Sequence, residues 1–154
     1  MTIIKIVDGK PYIADISELI KEYYQRLGRD LSFQNIDDEL KNPAKKYIPP
    51  EGEILVAIIY NKVVGMVAYH RLTDTCCEMK RLYVKPECRG MKLGEKLIQN
   101  IISNSVKAGY REMVLDTIKP LKSAIYLYKK FGFVECKPYY NNPMDDVIYL
   151  KKTL

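Results

Sequence analysis

Apolar positions recur along this chain in two rhythms, one of about two residues and one of about 3.6, and the switches between them mark out the elements. Ile3-Ile4-Lys5-Ile6-Val7 reads as a short strand, with Asp8-Gly9 as a turn. Asp15 and Glu18 have the spacing of a capping box, and Ile16, Leu19, Ile20, Tyr23 and Leu27 then follow at helical intervals up to Gly28. Ile36 and Leu40 predict a second, short helix that ends by Pro43, and Lys45 to Gly52, with Pro49 and Pro50, reads as loop. The unbroken apolar run Ile54 to Tyr60 predicts a buried strand, with Asn61-Lys62 as a tight connection. Val63 to Leu72 is a second strand, with a bulge or kink expected at Gly65. Thr73-Asp74-Thr75 turns the chain into a third strand, Cys76 to Val84, closed by Pro86.

From about Lys92 to Ala108, residues Leu93, Leu97, Ile98, Ile101, Ile102 and Val106 form one side of a helix, and Gly109 follows its end. Glu112 to Asp116 is a further strand. Pro120 opens another helix, with Leu121, Ala124, Ile125, Tyr128 and Phe131 on one face and Gly132 as its stop. Phe133 to Cys136 and Val147 to Leu150 read as two final strands. Three strands joined by short turns predict an antiparallel meander, and two strands joined through a helix predict a parallel crossover. The fold class is therefore α/β (α+β): a mixed, mostly antiparallel sheet of about seven strands flanked by about four helices, in one domain over residues 1–154.

Composition narrows the class without naming a function. The 154 residues are 47% hydrophobic and 29% charged, which suits a globular domain. No apolar run approaches the ~20 residues of a membrane span, and the first residues lack an export signal. The excess of 25 basic over 19 acidic side chains, +6, favours anionic partners, and nucleic acid and a phosphorylated cofactor both qualify. The basic residues are scattered, with neither a basic helix stripe nor an aromatic RNA-binding signature, so no nucleic-acid partner is expected. Cys76, Cys77, Cys88 and Cys136 lack metal-ligand spacing, so no metal is expected, and they read as reduced thiols of a cytoplasmic protein. The only histidine, His70, reads as a strand residue near a surface.

The chemistry concentrates in Leu82-Tyr-Val-Lys-Pro-Glu-Cys-Arg-Gly-Met-Lys-Leu-Gly94, where a strand ends and a glycine-containing loop enters a helix. A helix start leaves N–H groups unpaired and carries about half a positive charge, and glycines let a ligand approach the backbone, so the loop suits a diphosphate. Arg89 and Lys92, with Lys85 and Lys96 nearby, add full charges. Neither a Walker loop nor the dinucleotide fingerprint is present. Arg89-Gly-Met-Lys-Leu-Gly94 resembles the Arg/Gln-x-x-Gly-x-Gly/Ala acyl-CoA loop of the GCN5-related N-acetyltransferases (GNAT). Glu78 to Val84 resembles the strand entering that loop, and Ala124-Ile-Tyr-Leu-Tyr-Lys-Lys-Phe-Gly-Phe133 resembles the family's later helix with its Leu-Tyr-x-x-x-Gly-Phe ending. Two departures stand out: Lys92 occupies the position of a loop glycine, and Leu121 falls near an asparagine often seen at the later helix start.

The resemblance implies the GNAT acyl-CoA N-acyltransferase fold and transfer of an acetyl group from acetyl-CoA to a primary amine of a small molecule or peptide. It places the diphosphate on the backbone of Arg89, Gly90, Met91, Lys92, Leu93 and Gly94. It places the pantetheine arm along Leu82, Tyr83 and Val84 and beside Ala124, with the Val84 N–H polarising the thioester carbonyl. Glu78 is the candidate base, acting through water; period-two alternation sets it on one strand face with Lys80, Leu82 and Val84, and an ordinary pairing with Lys80 or Arg81 is its plainer role. Tyr128 is the candidate acid for the leaving thiolate, and core packing is its plainer role. Tyr126 lies off that face and has no assigned role.

Between the last strands, Tyr139, Tyr140 and Asn142 are candidate acceptor-pocket residues, with ring stacking on a cation as the reason. Phe33, and behind it Tyr47 with its two following prolines, are weaker candidates. The competing functions are a CoA-responsive binding module without catalysis and a protein-specific acetyltransferase. By resemblance, an exposed edge strand also implies a homodimer.

Overall fold

The computed structural model describes residues 2–29, 42–43 and 45–154. Seven strands form a single sheet: β1 (Ile4–Asp8), β2 (Glu53–Ile59), β3 (Lys62–Arg71), β4 (Cys76–Val84), β5 (Glu112–Ile118), β6 (Val134–Cys136) and β7 (Val147–Thr153). Three α-helices accompany them among the described residues: α1 (Ile13–Leu27), α2 (Leu93–Lys107) and α3 (Lys122–Lys130). The short helix expected around Ile36 and Leu40 lies outside the described residues. The sheet order is β1-β2-β3-β4-β5-β7-β6. β2, β3 and β4 form the expected antiparallel meander, and β4 pairs with β5 in parallel across the α2 crossover. None of the described helices is long and apolar enough to cross a membrane.

The continuous apolar run of β2 is explained by burial on both faces. Ile54, Val56 and Ile58 pack with Ile16, Leu19 and Ile20 of α1. Leu55, Ala57 and Ile59 point the other way and pack with Leu93, Leu97, Ile98 and Ile101 of α2. Tyr128 of α3 and Phe133 join this second core, their rings edge to face at 6.0 Å. Fully burying one such aliphatic side chain is worth ~1.5–3 kcal/mol, so both faces hold the sheet.

Several local expectations are corrected. Helix α1 begins at Ile13, directly after a 3-10 turn at Lys10–Tyr12, and its N-cap Tyr12 makes no side-chain cap bond. Asp15 therefore sits inside the first turn, and Glu18 pairs with Lys21 at 3.4 Å instead of closing a capping box. Helix α3 starts at Lys122, so Pro120 lies just outside it, while β5 and β7 run on to Ile118 and Thr153. The irregularity expected at Gly65 falls beside it: Ala57 pairs with Gly65, but Ile58 pairs with Val63.

One irregularity shapes the site. Along β3–β4 the register passes from Ala68↔Lys80 to Met66↔Tyr83, so β4 carries one extra residue. Arg81, with φ +64°, absorbs it as a β-bulge. The bulge reverses the alternation. Cys77, Met79, Leu82 and Val84 pack toward α2, whereas Tyr83 packs toward α1. Glu78 and Lys80 therefore do not share a face with Leu82 and Val84, contrary to uninterrupted period-two counting.

Candidate active site

β4 and β5 are joined only over Cys76–Glu78 and Glu112–Val114. Beyond that rung they part, and the wedge between them opens into a cavity of about 920 Å³. One wall is Leu82, Tyr83 and Val84, and the other is Leu115 to Ile118. Arg89, Gly90, Lys92, Leu93 and Gly94 close one end, and Ala124, Leu127 and Tyr128 of α3 line the side. The Lys85 N–H donates to the Val64 carbonyl at 2.8 Å, which makes Gly65↔Val84 the non-hydrogen-bonded pair of the ladder. By that alternation the Val84 N–H points away from β3, toward the side from which β5 has departed.

The end of the cavity formed by residues 89–95 is built from backbone. The first i→i−4 bond of α2 is Lys96 N–H to the Lys92 carbonyl at 3.2 Å, so the N–H groups of Leu93, Gly94 and Glu95 have no intrahelical partner. Gly90 has φ +88° with open space where a side chain would start. A Cβ on Gly94 would lie 3.0 Å from Leu127 Cδ1, so glycine lets α2 and α3 approach. Lys92 holds φ +59° as the helix N-cap. That left-handed conformation accounts for glycine at this position in the GNAT loop pattern, and lysine adopts it at a cost of ~1–2 kcal/mol. Met91 does not line the cavity; its side chain packs, partly buried, against the α2-side core. The donor set and the glycine geometry fit a diphosphate.

The opposite end is built from side chains. Glu78 is 5% exposed. Its Oε1 lies 2.7 Å from His70 Nε2, and its Oε2 accepts the Tyr139 hydroxyl at 2.5 Å. Burial alone raises its carboxyl. The His70 bond, the Lys80 charge and the Tyr139 hydroxyl outweigh burial and leave it below its ordinary value of 4.5. Lys80 Nζ stands between two carboxylates, 3.9 Å from Glu78 Oε1 and 3.8 Å from Asp116 Oδ1. Asp116 Oδ2 accepts from the Tyr140 hydroxyl and, at 3.3 Å, from Asn142. Burial and then the Glu78 charge push the Tyr139 phenol far up, and burial with the Asp116 bond does the same to Tyr140. Arg29, at the exit of α1, grips Asp146 in the β6–β7 connection through two bonds of 2.6 and 2.7 Å.

Tyr128 lines the cavity and is 8% exposed. Burial, then the nearby Tyr23 and Asp116, push its phenol well above the ordinary value, so it keeps its proton. Among the described residues its hydroxyl has no hydrogen-bond partner.

Placement of the sequence-derived candidates is mixed. Leu82, Tyr83, Val84, Arg89, Gly90, Lys92, Leu93, Gly94, Ala124 and Tyr128 line one cavity. Glu78 does not line it and sits one layer behind the wall. Tyr139, Tyr140 and Asn142 meet the two carboxylates through their polar groups and line a separate pocket, not this cavity. Tyr47 is fully buried with its ring against His70, and Phe33 lies outside the described residues. Tyr126, given no role, is 67% exposed at the cavity rim. His70 is not a surface residue but is 9% exposed and bound to Glu78. Sequence reasoning missed His70, Lys80 and Asp116. A hairpin centred on Asp74 sets residues 70 and 78 opposite each other, and that signal was available for the first.

A profile described as the acetyltransferase (GNAT) family matches residues 13–133. An N-acetyltransferase of Schizosaccharomyces pombe, described as uncharacterised, is 52% identical over 139 residues, covering 89% of this chain and 85% of that protein. A GNAT-family acetyltransferase from Staphylococcus aureus superposes with a TM-score of 0.82 at 24% identity, covering 98% of this chain and 99% of the other. The Campylobacter jejuni N-acetyltransferase PseH, solved in complex with acetyl coenzyme A, superposes with a TM-score of 0.64 at 19% identity, covering 98% and 99%. Both structures share the overall fold of this chain. The chain belongs to the GNAT acetyltransferase family. It is an N-acetyltransferase of that family.

Proposed function

We propose that the protein moves the acetyl group of acetyl-CoA to a primary amine of a small molecule or peptide by direct attack. The observation that carries this reading is the single cavity that joins the helix α2 N-terminus to the Tyr128 hydroxyl through the β4–β5 wedge. The backbone from Arg89 to Gly94 would hold the diphosphate, and the open edge of β4 at Leu82 to Val84 would pair with the pantetheine arm. The acetyl complex of the Campylobacter neighbour supports that occupant.

In the reaction a C–N bond forms as the C–S bond breaks. The acceptor ammonium gives up two protons, of which one ends on the departing sulfur and one reaches solvent. The Val84 N–H is oriented to stabilise charge on the thioester oxygen, an effect commonly worth about 10²–10³ in rate. Glu78 is the sink for the first proton, reached through water or through the Tyr139 hydroxyl that covers it. Tyr128 supplies the proton to sulfur. Burial raises its phenol, so it carries the proton to be given at neutral pH.

Free thiol measured from acetyl-CoA across a panel of primary amines and short peptides tests the reading. Amine-dependent release is the expected result. Tight CoA binding with no release from any acceptor would instead establish the binding-module alternative.

A further inference from the structure

We propose that Asp116 is the acceptor-selecting residue: its Oδ1 receives the ammonium of a cationic primary alkylamine at the apex of the wedge. This rests on the acetyl-transfer reading and deepens it.

The two carboxylates at this end are unequal. Both oxygens of Glu78 are engaged, by His70 and by Tyr139, and Glu78 stands behind the cavity wall. Asp116 belongs to the wall itself. Its Oδ2 is taken by Tyr140 and Asn142, but among the described residues Oδ1 has no hydrogen bond, and Lys80 Nζ is too distant at 3.8 Å to provide one. A carboxylate that lines the cavity, its side chain only 11% exposed, thus keeps one oxygen held by an ion pair alone. A charged donor within hydrogen-bonding distance would complete the coordination of that oxygen beside the longer Lys80 ion pair.

Position agrees with charge. The last β4–β5 rung is Glu78↔Val114, so Asp116 lies two residues past it, where the strands begin to part. The Tyr128 phenol responds to the Asp116 charge, which sets the candidate acid and the ammonium site within reach of one field. Lys80 neutralises one of the two negative charges, and an incoming ammonium would neutralise the other. Arg81 lines the same cavity but aims its guanidinium at the Tyr24 hydroxyl, 2.6 Å away. Tyr140 and Asn142, themselves bonded at 2.8 Å, fix the carboxylate plane. The class of acceptor that follows is an alkylamine presented as a cation, in preference to an uncharged nitrogen nucleophile of the same shape.

The test compares phenethylamine, a cation at neutral pH, with phenylacetohydrazide, which is close in shape and uncharged. Thiol release is measured at millimolar acceptor for the full chain, Asp116→Asn and Asp116→Glu, with CoA affinity followed by calorimetry. Expected is a roughly 10- to 100-fold rise in KM for the amine in Asp116→Asn, from loss of one charge-assisted bond. The same variant should leave the hydrazide and CoA affinity little changed, and Asp116→Glu should restore part of the amine preference. Equal loss for both probes, or no loss for either, would overturn the assignment while leaving the acetyl-transfer reading intact. Release from the hydrazide but not the amine in the unaltered protein would do the same. No release from either probe by protein that binds CoA would overturn both.

Discussion

The two ends of the cavity are made of different material. The proposed diphosphate end is backbone: a helix start, left-handed Gly90 and Lys92, and the close approach permitted by Gly94. The proposed acceptor end is side chain: Lys80 and Asp116 line the cavity, and Glu78, His70, Tyr139 and Tyr140 are bonded to or beside them from outside its lining. A backbone site depends on local conformation and tolerates many side chains. A side-chain site depends on a register between distant segments, and one substitution can change what it accepts.

The largest effect is expected where the two ends meet. Tyr128→Phe keeps the ring packed against Phe133 and removes a hydroxyl that has no partner among the described residues. Turnover should fall by about 10²-fold or more with CoA affinity and melting temperature little changed. Unaltered turnover would reject the acid role and return Tyr128 to the core alone.

Glu78→Gln should cost about 10²-fold in turnover at neutral pH, again without weakening CoA. It should also alter acid stability. The Glu78 carboxyl is lower in the folded protein than its ordinary 4.5. Below that ordinary value the unfolded chain therefore binds the proton more readily. The stabilisation is fully present above about pH 4.5 and is lost as pH falls through the folded value. Melting temperature followed through that acid range should decline less steeply in Glu78→Gln than in the unaltered protein; identical slopes would mean that the carboxylate is not held as described.

The smallest effect belongs to the backbone end. Lys92→Gly relieves a left-handed lysine worth ~1–2 kcal/mol and frees the unfolded chain by ~0.4–1 kcal/mol, so stability should rise by between zero and about 1.6 kcal/mol. CoA should bind slightly more weakly, and with less dependence on salt, because one cation is gone. A large loss of binding would show that the site relies on the lysine charge more than on the amides.

The same contrast decided what the sequence revealed. Residues 89–94 and 124–133 are contiguous, and their motifs follow from local spacing, so the family, the antiparallel meander and the parallel crossover were legible. The bulge was not: Arg81 carries no glycine-like mark, and its extra residue inverts the faces of Leu82 and Val84. His70 was in principle readable, since a turn centred on Asp74 sets it against Glu78. Asp116 was not, because its neighbours Lys80, Tyr140 and Asn142 reach it only once β4, β5 and the β6–β7 connection are assembled.

Calorimetric titration of the protein with CoA and, separately, with pantetheine tests most directly whether main-chain amides at the start of α2 grip the diphosphate. The account predicts clear heat and saturable binding for CoA and a far weaker response to pantetheine, which lacks the diphosphate. Equal affinity for the two, or no heat from CoA at millimolar concentration, would contradict it.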